Sequence, residues 1–372
     1  MRKALALAGL LLLSRDGLAD RESKCASRAL QRTWRGYLDR YVQADGRVID
    51  PQSDQSTTSE GQAYALVRAA WIGDRARFDT LLGWTRDNLQ HGDPAGLPAW
   101  HWGHRPDGSW GILDENSASD ADQWMAYALL EAADRWDAPV YRAQAVSLLA
   151  RIWDSEIADV GGRLLPLLGA WARGMDPVPI NPSYLLPFAW RSFAAEDSAH
   201  PWASLVDPAY GLLAELMAGD LLPPDWIYLS ATTGERMATS PDRPDANLYG
   251  YEAMRIPWTL AAEVAFYDEP RARHLLVAFA RLGARWHRLG ILSSPMQIDG
   301  QATGQRESLA LYGALLPAWA AARPEYVVPL YEAEVRPTGR VWGKTDDYYG
   351  QNWAWLGVAL WTGLARAPGK SS

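Results

Sequence analysis

Three short segments carry acidic side chains in settings that suit proton transfer. Glu60 lies in Thr57-Thr58-Ser59-Glu60-Gly61-Gln62-Ala63-Tyr64. Thr57-x-x-Glu60 has the spacing of a capping box, which predicts a helix starting here. The same carboxyl on a cleft edge would be placed to act as an acid. A helix dipole lowers its pKa, so burial or a neighbouring carboxylate must then raise it. Asp120 and Asp122 follow Ser117-Ala118-Ser119, and Ser117-x-x-Asp120 again has the form of a cap. Their D-x-D lacks the glycine and distal glutamate of a calcium loop, so no metal is expected. Glu252 and Arg255 stand three apart in Tyr249-Gly250-Tyr251-Glu252-Ala253-Met254-Arg255-Ile256-Pro257-Trp258. That spacing suits an exposed ion pair on a helix. The surrounding rings and small residues are unusual for a solvated face.

Other chemistries have little support. His101-x-x-His104 has no companion ligand motif. The chain contains no G-x-S-x-G, no phosphate-binding P-loop and no dinucleotide fingerprint. What remains is carboxylate chemistry beside aromatic platforms, for which glycoside hydrolysis is a leading candidate. The rings support it: 20 Trp and 16 Tyr stand against 5 Phe. A core alone would favour Leu and Phe, whereas rings with polar edges also suit a sugar, which offers a C–H face and a rim of hydroxyls. Trp100, Trp102 and Trp110 fall in a glycine-containing loop and are candidate platforms. About half of the tryptophans are expected to plug helix–helix gaps instead.

The elements that must position these groups are mostly helical. Apolar residues recur at three- and four-residue spacing over Ala29–Tyr41, Glu60–Trp71, Ala76–Leu89, Ala121–Trp136, Val140–Trp153 and Tyr184–Phe193. The pattern continues over Trp202–Met217, Ala246–Phe266, Ala272–Trp286, Ser308–Ala322 and Tyr349–Leu364. In the helix after Asp120, the residues Met125, Ala128, Leu129, Ala132 and Trp136 form the expected buried stripe, which leaves Asp120 at the helix mouth. Loops rich in Gly, Pro, Asp and Trp intervene, notably His91–Leu113 and Leu221–Asn247, and only Trp226–Ser230 and Arg163–Leu165 suggest short strands. Eleven or twelve paired helices predict one all-α domain, an α/α toroid with a cleft built by loops at one end.

The 372 residues include 36 Lys+Arg against 44 Asp+Glu, a net charge of −8, the wrong sign for holding nucleic acid. A single cysteine, Cys25, excludes a disulfide framework. Met1-Arg2-Lys3, the apolar run Ala4–Leu13 and the small residues Gly17 and Ala19 read as an export signal over residues 1–19, too short to span a bilayer. Residues 20–372 are then the exported catalytic domain, periplasmic or secreted, with no membrane span left after signal removal.

The segments resemble glycoside hydrolase family 8. Ala118-Ser119-Asp120-Ala121-Asp122-x-x-Met125-Ala126-x-Ala128-Leu129-Leu130-x-Ala132-x-x-x-Trp136 fits that family's long signature at every constrained position. Ser59-Glu60-Gly61-Gln62-x-Tyr64 is similar to its general-acid segment. Asn181-Pro182-Ser183-Tyr184, Leu222-Pro223-Pro224-Asp225-Trp226 and Asp347-Tyr348-Tyr349 resemble further blocks, so the likeness runs from about Trp34 to about Trp361. It is nearest to the short endoglucanases encoded with bacterial cellulose synthases. The resemblance implies an (α/α)6 barrel, an open cleft for a β-1,4-glucan, inversion at the anomeric carbon and no cofactor. It implies Glu60 as proton donor and, in the wording of the family signature, Asp120 as a nucleophile; in an inverting scheme we prefer Asp120 as the residue that holds and distorts the sugar next to the scissile bond. Tyr184 and Arg255 would line the same place, with Trp100, Trp102, Trp110, Tyr348 and Tyr349 as further glucan contacts. A cellulose synthase complex is the partner it suggests. The base position falls on Glu252, where close relatives have Asp in a Tyr-Asp-Ala-x-Arg setting. Glutamate extends the carboxylate by about 1.5 Å, and inverting enzymes need roughly 6.5–9.5 Å between carboxyls to admit a water. Xylan, mixed-linkage glucan or chitosan are alternative substrates, and a glucan-binding protein of weak activity is the rival reading.

Overall fold

The computed structural model describes residues 23–237, 247–304, 306–344 and 347–369. The expected signal segment, 1–19, lies outside the described residues. Helices run in an alternating sequence around a ring. Six of them, α2 (Ser59–Ile72), α4 (Ser119–Trp136), α6 (Pro187–Glu196), α8 (Ile256–Tyr267), α11 (Leu309–Ala322) and α13 (Tyr348–Trp361), form the inner wall. Outside them pack α1 (23–41), α3 (Arg75–Leu89), α5 (Pro139–Glu156), α7 (Val206–Leu216), α9 (Pro270–Leu275) with α10 (Val277–Leu289), and α12 (Val327–Leu330). This is an (α/α)6 barrel. The ring closes between α13 and α2, where Arg68 Nη2 donates to the Gln351 carbonyl at 3.0 Å and the Tyr64 and Trp353 rings meet edge-on at 5.6 Å.

An inner helix has neighbours on nearly every side, so burial exceeds the one-stripe pattern of an ordinary amphipathic helix. In α4 every residue from Ser119 to Ala133 is buried, not only the predicted stripe, while Trp136 is half-buried. Small residues make such packing possible. A Cβ on Gly357 would stand 1.9 Å from the Gly313 carbonyl oxygen, and one on Gly313 2.4 Å from that of Trp353, so α11 and α13 touch backbone to backbone. Nine tryptophans are essentially sealed from solvent, among them Trp71, which lies parallel to Trp355 at 6.4 Å between ring centres. Seven of the nine lie on the helices and fill gaps between them, while Trp202 sits in a 3-10 turn and Trp342 in a loop.

All six inner helices begin at one end of the barrel, and the loops there carry short antiparallel sheets. Strands β1 (Thr57–Thr58), β2 (His101–His104) and β3 (Trp110–Asp114) form one of them. A second, smaller sheet is β4 (Ile157–Val160) with β5 (Arg163–Pro166). The others are β6 (Val178–Ile180) with β7 (Ile227–Leu229) and β8 (Arg236–Met237), and β9 (Leu248–Tyr249) with β10 (Met296–Gln297). The predicted short strands at 163–165 and 226–230 are present, shifted by a residue at most ends. The β2–β3 hairpin replaces part of the loop expected over 91–113. The helix expected from Ala246 begins instead at Ile256, because residues 248–249 pair as a strand and 253–255 make a tight 3-10 turn.

Candidate active site

The first turn of α2 is capped by Thr58, whose Oγ1 accepts from Gly61 N at 3.1 Å. Thr57, one residue earlier, belongs to β1 and spends its hydroxyl on the Val48 carbonyl, 2.7 Å away. Glu60 therefore closes no capping box. Its Oε1 accepts from Tyr64 Oη at 2.5 Å, one helical turn on, and from Arg255 Nη1 at 2.9 Å. The same correction applies to α4. Its N-cap is Ala118, and Ser117 Oγ donates to Glu156 Oε1 at 2.6 Å rather than capping. Asp120 Oδ2 instead accepts from Arg255 Nη1 at 2.8 Å.

Arg255 sits at the N-cap of α8, 5% exposed. Its Nη2 donates to Glu252 Oε2, which also accepts from Asn181 Nδ2 at 2.8 Å. The spacing-based reading of Glu252 and Arg255 as an ion pair is correct, but only Glu252 meets solvent, its side chain 33% exposed, while the Arg255 guanidinium is buried. The Tyr184 ring lies under the guanidinium, 5.4 Å from its carbon. One cation thus spans three carboxyls that are 60 and 132 residues apart in sequence, at the mouth where the inner helices begin.

Three carboxylates and one guanidinium in a poorly solvated space cannot all be charged without cost. Burial, with Asp120 and Glu252 nearby, pushes the Glu60 carboxyl up to about 7, against the opposing pull of Arg255 and the Tyr64 hydroxyl. Burial also raises Asp120, and Arg255 works against it. Behind them Asp122 turns away from the mouth toward Glu156, and burial holds both acids above the usual carboxylate range, Glu156 at about 7.

The candidate aromatic contacts divide. Trp100 is exposed at the mouth, its carbonyl accepting from Ser59 N next to Glu60. Tyr349 donates its hydroxyl to the Tyr251 carbonyl at 2.9 Å, beside Glu252. Tyr348 is buried against Tyr37 and Tyr41, with its oxygen facing Gly61. Trp102 packs edge-on to Trp84 and beside Trp110, with the Arg47 guanidinium 4.3 Å and 4.4 Å from the two ring centres. Trp110 is nevertheless half open to solvent. Sequence reasoning missed Tyr64 and Asn181 as partners of the acids. A tyrosine four residues after Glu60 was the available signal for the first.

The model for glycosyl hydrolases family 8 matches residues 16–363. The chain belongs to this family. Among its curated relatives, the endoglucanase of Pseudomonas fluorescens is 39% identical over 228 residues, 60% of this chain and 57% of that protein. The endoglucanase of Salmonella typhi is 32% identical over 293 residues, 76% of each chain. A crystal structure of an endo-1,4-D-glucanase from Vibrio fischeri superposes with a TM-score of 0.77 at 29% identity, covering 88% of this chain and 93% of that one. The match spans less than two thirds of several curated relatives, the one from Pseudomonas included. Among the described residues no helix of this family 8 chain is long and apolar enough to cross a membrane.

Proposed function

We propose that this chain is an endo-β-1,4-glucanase that hydrolyses cellulose-type glucan with inversion at the anomeric carbon. The observation that carries the reading is the single guanidinium shared by Glu60, Asp120 and Glu252 at the barrel mouth. Glu60 retains its proton up to about pH 7 and donates it to the leaving glycosidic oxygen. Glu252 takes a proton from a water that attacks the anomeric carbon from the opposite face, so the C–O bond to the leaving sugar breaks as the bond to water forms. Glu60 bonds its neighbours through Oε1 and Glu252 through Oε2, which leaves the other oxygen of each for the glucan and the water. Asp120 and Arg255 hold the sugar beside the scissile bond, with Tyr184 lining the same place. Trp100, Trp110 and Tyr349 supply ring faces along the groove. The names of the relatives at 29–39% identity, all endoglucanases or a 1,4-glucanase, support this substrate class.

Glu252 is anchored as glutamate. Both Asn181 and Arg255 reach the end of its longer side chain, so Glu252→Asp withdraws the carboxylate from both by about one bond. A shift of about 1 Å can cost on the order of a hundredfold in rate. The rate on carboxymethylcellulose is expected to fall by roughly 10–100-fold in this variant. A gain in rate would mean that the wild-type base is badly placed and that this account of Glu252 is wrong.

Residues 1–19 are read as a cleaved export signal, residues 20–372 as one catalytic domain working in the periplasm or outside the cell. Action on cellulose during its synthesis, beside a cellulose synthase complex, rests on the resemblance to endoglucanases encoded with such synthases. N-terminal sequencing of the exported protein tests the cut: Asp20 is expected first, and a retained Met1 contradicts it.

A further inference from the structure

Glu252 stands in a turn that no helix or long strand supports. Residues 248–249 form β9, residues 253–255 the 3-10 turn, and between them the chain must reverse in three residues and present one carboxylate toward Asn181 and Arg255. Asp225, from the segment before β7, lies under this reversal. Its Oδ1 accepts two backbone hydrogen bonds, from Gly250 N at 2.9 Å and Ala253 N at 2.8 Å, which bracket Tyr251 and Glu252. Its own N–H donates to the Leu248 carbonyl at 2.8 Å, so three points of the 248–253 segment are tied to one residue. The fit is close. A Cβ on Gly250 would stand 2.3 Å from Asp225 Oδ2, which leaves room for glycine alone.

We propose that Asp225 is a positioning residue for the base: its carboxyl fixes the backbone on both sides of Glu252 and thereby sets where that side chain meets the water. The inference rests on the reading of Glu252 as the base. Asp225 touches neither sugar nor water in this scheme. Its contribution comes through the backbone, which an acceptor oxygen of any charge can hold. Buried backbone N–H groups left without an acceptor relax toward another partner, and the loop then carries Glu252 with it. Burial pushes the Asp225 carboxyl up to about 6, which agrees with a role that does not require the charge.

The test uses the full chain with three single variants assayed on carboxymethylcellulose. Asp225→Ala removes both acceptor bonds and is expected to lower kcat by about 100-fold, with KM within about twofold, since a misplacement near 1 Å costs about that much. Asp225→Asn keeps an acceptor oxygen at the same position and is expected to stay within about fivefold of wild type in kcat, the scale of one slightly altered hydrogen bond. Glu252→Gln measures the base reading separately and is expected to lose about 10²–10⁴-fold. If Glu252→Gln remains active, the base assignment fails. If Glu252→Gln is inactive while a folded Asp225→Ala keeps its kcat, only the positioning role fails. An equal loss in Asn and Ala would also overturn it, because the charge and not the backbone anchor would then matter. Should the Ala variant not fold by circular dichroism, Gly250→Ala reads the same contact by pushing Oδ2 aside. A kcat loss with KM held is expected there, and an unchanged kcat contradicts the proposal.

Discussion

Glu60→Gln is expected to lower kcat on carboxymethylcellulose by about 10²–10⁴-fold, the usual worth of a positioned general acid. Glucan binding should change by no more than a few-fold. The amide cannot give up a proton to the leaving oxygen, yet it retains an oxygen that can accept from Tyr64 and Arg255, so the mouth of the barrel should keep its shape. The same carboxyl sets the alkaline side of the pH profile. Its raised pKa of about 7 means that the proton is present below that pH and lost above it. Wild-type activity should therefore fall about tenfold per unit above roughly pH 7, and the residual activity of Glu60→Gln should show no such limb. Tyr64 and Arg255 both stabilise the ionised form, so without the burial that opposes them Glu60 would be charged at neutral pH and useless as an acid. A Gln variant with more than a tenth of wild-type activity would remove Glu60 from the reaction.

Arg255→Met should cost stability as well as activity. Its guanidinium is the shared partner of Glu60, Asp120 and Glu252 in the described structure. Removing one member of a buried ion pair typically costs about 3–5 kcal/mol, because the other charge stays behind unpaired. Here the carboxyls can escape by taking up protons, which gives the loss a pH signature. Without the cation the Glu60 and Asp120 carboxyls, already raised by burial, move further above their unfolded values, so the folded state binds more protons than the unfolded chain through that interval. Stability of the variant then falls as pH rises from about 4 toward neutrality. Urea unfolding at pH 5 and pH 7.5 should show the larger deficit relative to wild type at pH 7.5. An equal deficit at both would mean that the guanidinium acts by packing alone. Activity should be lost at either pH, since Glu252 and Asp120 lose the group that holds them in register.

Periodicity made the inner helices legible because each keeps an apolar pattern long enough to read, and even the beginnings of α2 and α4 fall within about two residues of expectation. Local pattern misread what the acids do there. Thr57-x-x-Glu60 and Ser117-x-x-Asp120 match cap spacings, but Thr57 is held in β1 and Ser117 is held by Glu156, so both acids are released to a cation far along the chain. The resemblance to a family brought Glu60, Asp120, Tyr184, Glu252 and Arg255 together where spacing alone left them apart. The resemblance brought up the blocks that contain Asn181 and Asp225, but their role as anchors of Glu252 was out of reach by either route. Asn181 lies 71 residues away from it, and Asp225 acts on the flanking backbone, a contact that no side-chain pattern encodes. Trp102 and Tyr348 show the converse limit. Both are aromatic residues in loop or helix-start segments, and how much of each ring is left open is set by packing: Trp102 is half-buried against Trp84 and Trp110, and Tyr348 is buried against Tyr37 and Tyr41.

The pairing of an acid on one side of the sugar with a base and water on the other has one direct readout, the configuration of the newly made reducing end. Proton NMR of a soluble β-1,4-gluco-oligosaccharide during the first minutes of hydrolysis, before mutarotation, should show the α-anomer appearing first. Appearance of the β-anomer first would mean a covalent glycosyl–enzyme intermediate and closely spaced carboxyls, and would contradict the roles given to Glu60 and Glu252.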